Sequence, residues 1–207
     1  DKSRGYDNID EVNMHTIPAD TFWRDSEKRY SRGYEHSLET SGEKLLAAFK
    51  AVNYKTETDE QKMPFEFYSE TTVPDGSKAT FVKINHSAYI APEFTYNAEN
   101  GRYYKVSYGE KHIDEATGEQ LAFENVIVLF ASHKVVDSDL RLDINLVGEG
   151  SGILVTAGQK VDIVWKRTSS DSIICLENSD GTTAKLNPGK THITVFDKDV
   201  KNGITIY

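Results

Sequence analysis

The chain has 207 residues, 38% hydrophobic and 28% charged, with a net charge of −9 and a pI near 5.2. That is long enough to bury a real core and too apolar for a disordered composition. The acidic balance argues against nucleic acid and anionic membrane surfaces as partners, and no apolar run reaches the ~18 residues a bilayer-spanning helix needs.

The first ~20 residues are polar and irregular and read as a tail or docking segment. The chain begins "DKSRGYDNID", with no initiator methionine, signal sequence or lipidation cysteine, so either a leader was removed or this is an internal piece of a longer protein. In "TFWRDSEKRYSRGYEHSLETSGEKLLAAFKAV" the second half predicts a helix. Thr40 and Glu43 fit a capping box, and Leu45, Leu46, Phe49 and Val52 recur at helical spacing. The charged, aperiodic "NYKTETDEQKMP" reads as a linker.

From Phe65 the period becomes two. Eleven tyrosines and nine phenylalanines against two methionines favour pleated surfaces over long helices. "KATFVKINHSAYIAPEFTYN" alternates between the turn signals "PDG" and "NG", and "FTYNAENGRYYKV" predicts a hairpin turning at Asn100-Gly101. "NVIVLFASHKVV" predicts a central strand. "LRLDINLVG", "GILVTAG", "KVDIVWKR", "SIICLEN", "TAKLNPG" and "THITVFD" follow with turn residues every few positions. The expected fold class is α+β: a polar tail and short helical N-terminal segment over 1–62, then a mostly antiparallel β domain over 63–207, a sandwich or partly open barrel.

The chemically richest stretch is "YKVSYGEKHIDEATGEQL" at 104–121. His112 and Asp114 are two apart and share a strand face, as a metal pair or an oriented base would. Two ligands are too few for zinc, and the acidic spacing breaks the calcium-loop pattern, so a solvated turn is the commoner reading. In "FWRDSEKRYSRGYEHS", Trp23, Arg24, Asp25 and His36 could form an anion-gripping site, or an ordinary ion pair beside a half-buried tryptophan. His86, His133 and His192 share no spacing. "GEGSG" at 148–152 lacks the Lys-Ser/Thr of a phosphate loop and reads as a turn between strands. Cys175 reads as a small core hydrophobe. No catalytic motif, metal set or cofactor fingerprint is present, so no cofactor is expected.

"FWRDS" at 22–26, "HSLETSGEKL" at 36–45, "YNAENGRYYKVSYGEKHIDEATGEQLAFENVIVLF", "LRLDINLVGEGSG", "IVWKR" and "LNPGKTHITV" occur in one order that resembles the YerB-like family of bacterial lipoproteins, from about Phe22 to Val195. The resemblance implies an exported, lipid-anchored protein of uncharacterised molecular function, with a further N-terminal α/β region in most members, so that residues 1–62 would be the end of a truncated N-terminal α/β domain. Ser37 and Glu39 stand where the family has asparagine and tyrosine, and His192 where tryptophan is common.

Two functions follow as expectations. One is a non-enzymatic binding or scaffolding module of the cell envelope, contacting an envelope protein or cell-wall component, with Tyr96, Tyr103, Tyr104 and Tyr108 around one hairpin as candidate contact residues or as cross-strand packing. The other is an envelope hydrolase or transferase in which Arg24 binds an anion, Asp25 orients His36, and His36 acts as acid or base.

Overall fold

The computed structural model describes residues 20–57, 64–170 and 172–207. The chain divides into two compact units, Asp1–Lys62 and Met63–Tyr207. The expected tail and the centre of the charged linker lie outside the described residues.

In the first unit, strand β1 (Trp23–Arg24) pairs antiparallel with β2 (Leu38–Glu39), and between them run helix α1 (Ser26–Arg32) and a 3-10 turn, Tyr34–Ser37. Periodicity did not predict α1. Its seven residues, SEKRYSR, carry no apolar stripe, and it ends at Gly33 with φ +99°. Helix α2 (Gly42–Ala51) is the predicted one, with its cap moved. The Thr40 hydroxyl donates to Thr21 O at 2.8 Å, so Ser41 Oγ caps the helix instead, accepting from Lys44 N at 3.3 Å. Its buried face centres on Ala48, while Leu46 of the expected stripe is exposed.

The second unit holds two sheets. The strands, in chain order, are β3 (Ser77–Lys78), β4 (Phe81–Ile84), β5 (Glu93–Asn97), β6 (Arg102–Ser107), β7 (Glu110–Lys111), β8 (Ala122–Phe123), β9 (Asn125–Val135), β10 (Leu142–Asn145), β11 (Gly148–Thr156), β12 (Gln159–Arg167), β13 (Cys175–Asn178), β14 (Thr191–Asp197) and β15 (Ile204–Ile206). One sheet runs β15-β4-β5-β6-β7 with β8 also on β6; the other runs β10-β9-β11-β12-β13 with β14 on β9 and β3 on β12. All pairs are antiparallel except β14 with β9, so the second sheet is mixed. Among the described residues neither sheet closes into a barrel. Short helices followed by a β-rich, mostly antiparallel unit is what the sequence predicted, and the one parallel pair, β14 with β9, is an addition to it. It arises because β14 returns to β9 from about 60 residues downstream, a long connection rather than a hairpin.

Strand β9 explains its own sequence. Val126 and Val128 face Val82, Phe94 and Tyr103 of the other sheet, whereas Ile127 and Leu129 pack with Trp165, Leu176 and Leu186 on the reverse face. A strand buried on both faces needs a continuous apolar run.

Four further expectations are corrected. "GEGSG" is no turn but the start of β11: a Cβ on Gly150 would come within 2.6 Å of the Trp165 indole nitrogen, which donates to Phe130 O at 2.9 Å. "TAKLNPG" forms no strand, only isolated bridges at Thr183 and Leu186. Cys175 is exposed, because strand alternation turns its neighbour Leu176 into the core. Tyr103 is fully buried, its hydroxyl donating to Ala79 O at 2.8 Å and accepting from Gly158 N at 3.0 Å. It therefore offers nothing to a surface ligand.

Candidate functional site

Of the sequence candidates in the first unit, Arg24 and Asp25 serve its local structure. The Arg24 guanidinium stacks 3.5 Å from the Tyr34 ring centre, and its Nη1 donates to Tyr34 O and to Ser37 Oγ. Asp25 is the N-cap of α1, accepting from Lys28 N at 2.7 Å, and shares no hydrogen bond with His36. His36 is exposed on the 3-10 turn, and Trp23 is half-exposed with Lys44 Nζ 5.9 Å from its ring. Asp25→Ala should cost about 1 kcal/mol of local stability, read as faster amide exchange at Lys28 and Arg29. Exchange unchanged from the parent would remove the capping role.

His112 and Asp114 are not a pair either. The Asp114 carboxylate accepts from Thr117 N at 2.8 Å, Thr117 Oγ1 at 3.1 Å and Ala116 N at 3.0 Å. The bonds from Thr117 in particular hold its carboxyl below the usual range. It closes a turn. His112 instead shares a 3.1 Å hydrogen bond with Ser107 through Nδ1, and no other described group bonds its imidazole.

His112 does line a cleft of about 240 Å³ with Tyr89, Ile90, Pro92, Lys105 and Tyr108. The wall is the β4–β5 loop, where Ser87 Oγ accepts from the N–H groups of Tyr89 (3.2 Å) and Ile90 (3.0 Å), and His86 N donates to Ile90 O. That bonding presents Tyr89 at 84% exposure and Ile90 at 51%, both large apolar bodies facing water. Tyr108 stands opposite in sequence space on the β6–β7 turn, held at φ +55° and 79% exposed. The floor is Lys105. By alternation along β6 it shares the inward face of Tyr103, and its backbone is pinned by bonds to Leu121 O and from His112 N. Burial pushes its ammonium below the usual lysine range, and no carboxylate pairs with it among the described residues.

Beside this floor the fold gathers histidines that sequence spacing left scattered. His192 on β14 lies 4.9 Å from the Phe94 ring and 5.3 Å from that of Phe123. Burial first, then the charges of Lys105, His86 and His112, lower its pKa to about 4. His86 is lowered as well, by burial and by His133.

Two other cavities have several of their charged groups engaged internally. One, of about 640 Å³, contains Asp75, Lys160, Asp162 and Asp180. There Lys160 pairs with Asp162 at 2.8 Å, and Asp180 accepts from Thr182 N at 2.9 Å. In the other, of about 450 Å³, Glu124 is taken by Arg102 Nε at 2.7 Å and Lys190 N at 2.6 Å. Among the described residues no group of three or more His, Cys, Asp or Glu is arranged to hold a metal ion. No described helix is long and apolar enough to cross a membrane. Sequence reasoning found His112 and Tyr108 but missed Tyr89, Ile90 and Lys105. The available signal was "AYIAP", an apolar and aromatic run in a loop between two strands.

Residues 81–193, more than half of the chain, match the family described as "Protein of unknown function (DUF3048) C-terminal domain". The chain belongs to this DUF3048 family. It is 25% identical over 189 residues to the Bacillus subtilis (strain 168) protein named "Putative lipoprotein YerB", covering 90% of this chain and 54% of that protein. The crystal structure of the YerB protein from Bacillus subtilis superposes with a TM-score of 0.79 at 25% identity, across 100% of this chain and 66% of that one. The YerB-like resemblance is thus borne out. The chain spans about half the length of the curated relative it matches. The DUF3048 match contains the whole Tyr89–His112 cleft and His192, whereas Trp23, Arg24, Asp25 and His36 lie before it.

Proposed function

We propose that this chain is part of an extracytoplasmic lipoprotein, membrane-anchored through a lipid in its full-length form, whose β unit is a non-enzymatic binding module of the bacterial cell envelope. The lipoprotein name of the Bacillus subtilis relative supports the location. An envelope protein or cell-wall component is the partner. The two facing sheets are read as an open sandwich that carries its binding loop between β4 and β5.

One observation carries the binding role: exposed Tyr89, Ile90 and Tyr108 line the same cleft as an uncompensated Lys105. Apolar walls around a few polar groups are the usual composition of a ligand site. A hydrolytic reading would draw on the Ser107–His112 bond, yet no described carboxylate orients that imidazole as a triad needs.

Titrating the isotope-labelled 207-residue chain with small aromatic and aliphatic fragments tests the reading. Amide shifts should cluster at Tyr89–Ala91, Lys105–Gly109 and His112, and the Tyr89→Ser/Ile90→Ser double variant should lose them while keeping its folded spectrum. Shifts confined to other surfaces, or none at all, would reject the cleft as the binding site.

A further inference from the structure

We infer that the cleft captures the free C-terminal carboxylate of a peptide, with Lys105 and His112 taking the carboxylate and Tyr89, Ile90 and Tyr108 flanking the last, apolar side chain. This deepens the binding-module reading and rests on it.

Charge is the first argument. In a chain of net charge −9, this cleft is lined without a single Asp or Glu, yet it contains an ammonium and an imidazole. Lys105 is partly buried and has no counter-ion among the described residues, and the Nε2 of His112 has no protein partner there. A partly desolvated cation without a counter-charge is costly by itself and is relieved by an anionic ligand. The backbone that carries both groups is fixed by β6 and the segment after β7, and the His112 ring is held by Ser107, which limits the reorganisation needed on binding.

Size and lining chemistry narrow the anion. About 240 Å³ is below the volume that encloses a drug-sized ligand, so the cleft accommodates one end group rather than a chain. A sugar would bring several hydroxyls, which want amide and carboxylate side chains, and the lining has neither. A phosphate is gripped best by an arginine fork, and no arginine lines the cleft. One ammonium with a neighbouring imidazole matches the single charge of a carboxylate. The apolar faces of Ile90 and Pro92 suit an aliphatic side chain, and the carboxylate is held here by side chains rather than by a nest of backbone N–H groups.

The test uses the intact 207-residue chain and N-acetyl tripeptides ending in Leu, Val or Ala, each as free acid and as C-terminal amide, with affinities read from amide shifts. The acids should bind at least tenfold more tightly than the amides. Lys105→Met should erase that difference while leaving the folded spectrum unchanged, and Lys105→Arg should retain most of it. Equal binding of acid and amide at the fragment-mapped cleft would overturn the carboxylate assignment and leave the binding module standing. Displacement of fragments by glucuronate or inorganic phosphate but not by peptide acids would overturn it in favour of another anion. Failure of fragments and peptides alike would overturn both readings.

Discussion

Asn125→Leu is expected to lower the unfolding free energy of the β unit by about 3–5 kcal/mol, the largest effect of any single polar side chain considered. Asn125 opens β9 and is fully buried. Its Nδ2 donates to Asn187 O at 2.8 Å and Thr191 Oγ1 at 3.1 Å, and its Oδ1 accepts from Asn187 N at 3.0 Å and Thr156 Oγ1 at 2.8 Å. Asn187 extends the network: its Nδ2 reaches Thr156 Oγ1 and Thr72 O, and its Oδ1 accepts from Thr72 N. Every member is satisfied, which is why a core can tolerate it, and leucine would strand several buried groups at once. Urea denaturation followed by the fluorescence of buried Trp165 measures the loss. Thr191→Val removes one bond and should cost only about 1 kcal/mol. A loss near 1 kcal/mol for Asn125→Leu as well would mean that the network contributes no more than one ordinary hydrogen bond.

Lowering the pH from 7 to 4 should cost about 2 kcal/mol of stability through His192 alone, after discounting the full linkage value for its partial exposure. The folded pKa of about 4 lies below the 6.5 of an ordinary histidine, the value in an unfolded chain. The unfolded state therefore binds the proton first. Stability from this group is fully present above pH 6.5, declines as the pH falls below it, and levels off once the folded imidazole also titrates near 4. Lys105, His86 and His112 are the groups whose charge acts on it, after burial, to disfavour its protonated form. His192→Phe places another ring between Phe94 and Phe123 and should flatten the pH profile between 7 and 4.5 relative to the parent. Identical slopes in the two proteins would remove His192 as the origin.

What the sequence made legible was local. Strand β9 was readable because both its faces are buried, and the Asn100-Gly101 hairpin because Gly101 sits at φ +73° as its turn demands. The turn around Asp114 was readable from its glycine and threonine. The cleft was not. Its parts come from Tyr89, Lys105 and His112, which only strand pairing brings together, and nothing in their spacing encodes that pairing. The glycines of β11 misled because their purpose is room for Trp165, a residue 15 positions away in the chain. The cap of α2 misled because Thr21, some 20 residues upstream, takes the hydroxyl of Thr40.

The most direct measurement of the central claim is a crystal structure of the 207-residue chain soaked with a fragment that binds in solution. The account predicts ligand density between Tyr89 and Tyr108, with its polar end against Lys105 and His112. Density in the wider Asp75–Lys160–Asp180 cavity, with the Tyr89 loop untouched, would contradict it.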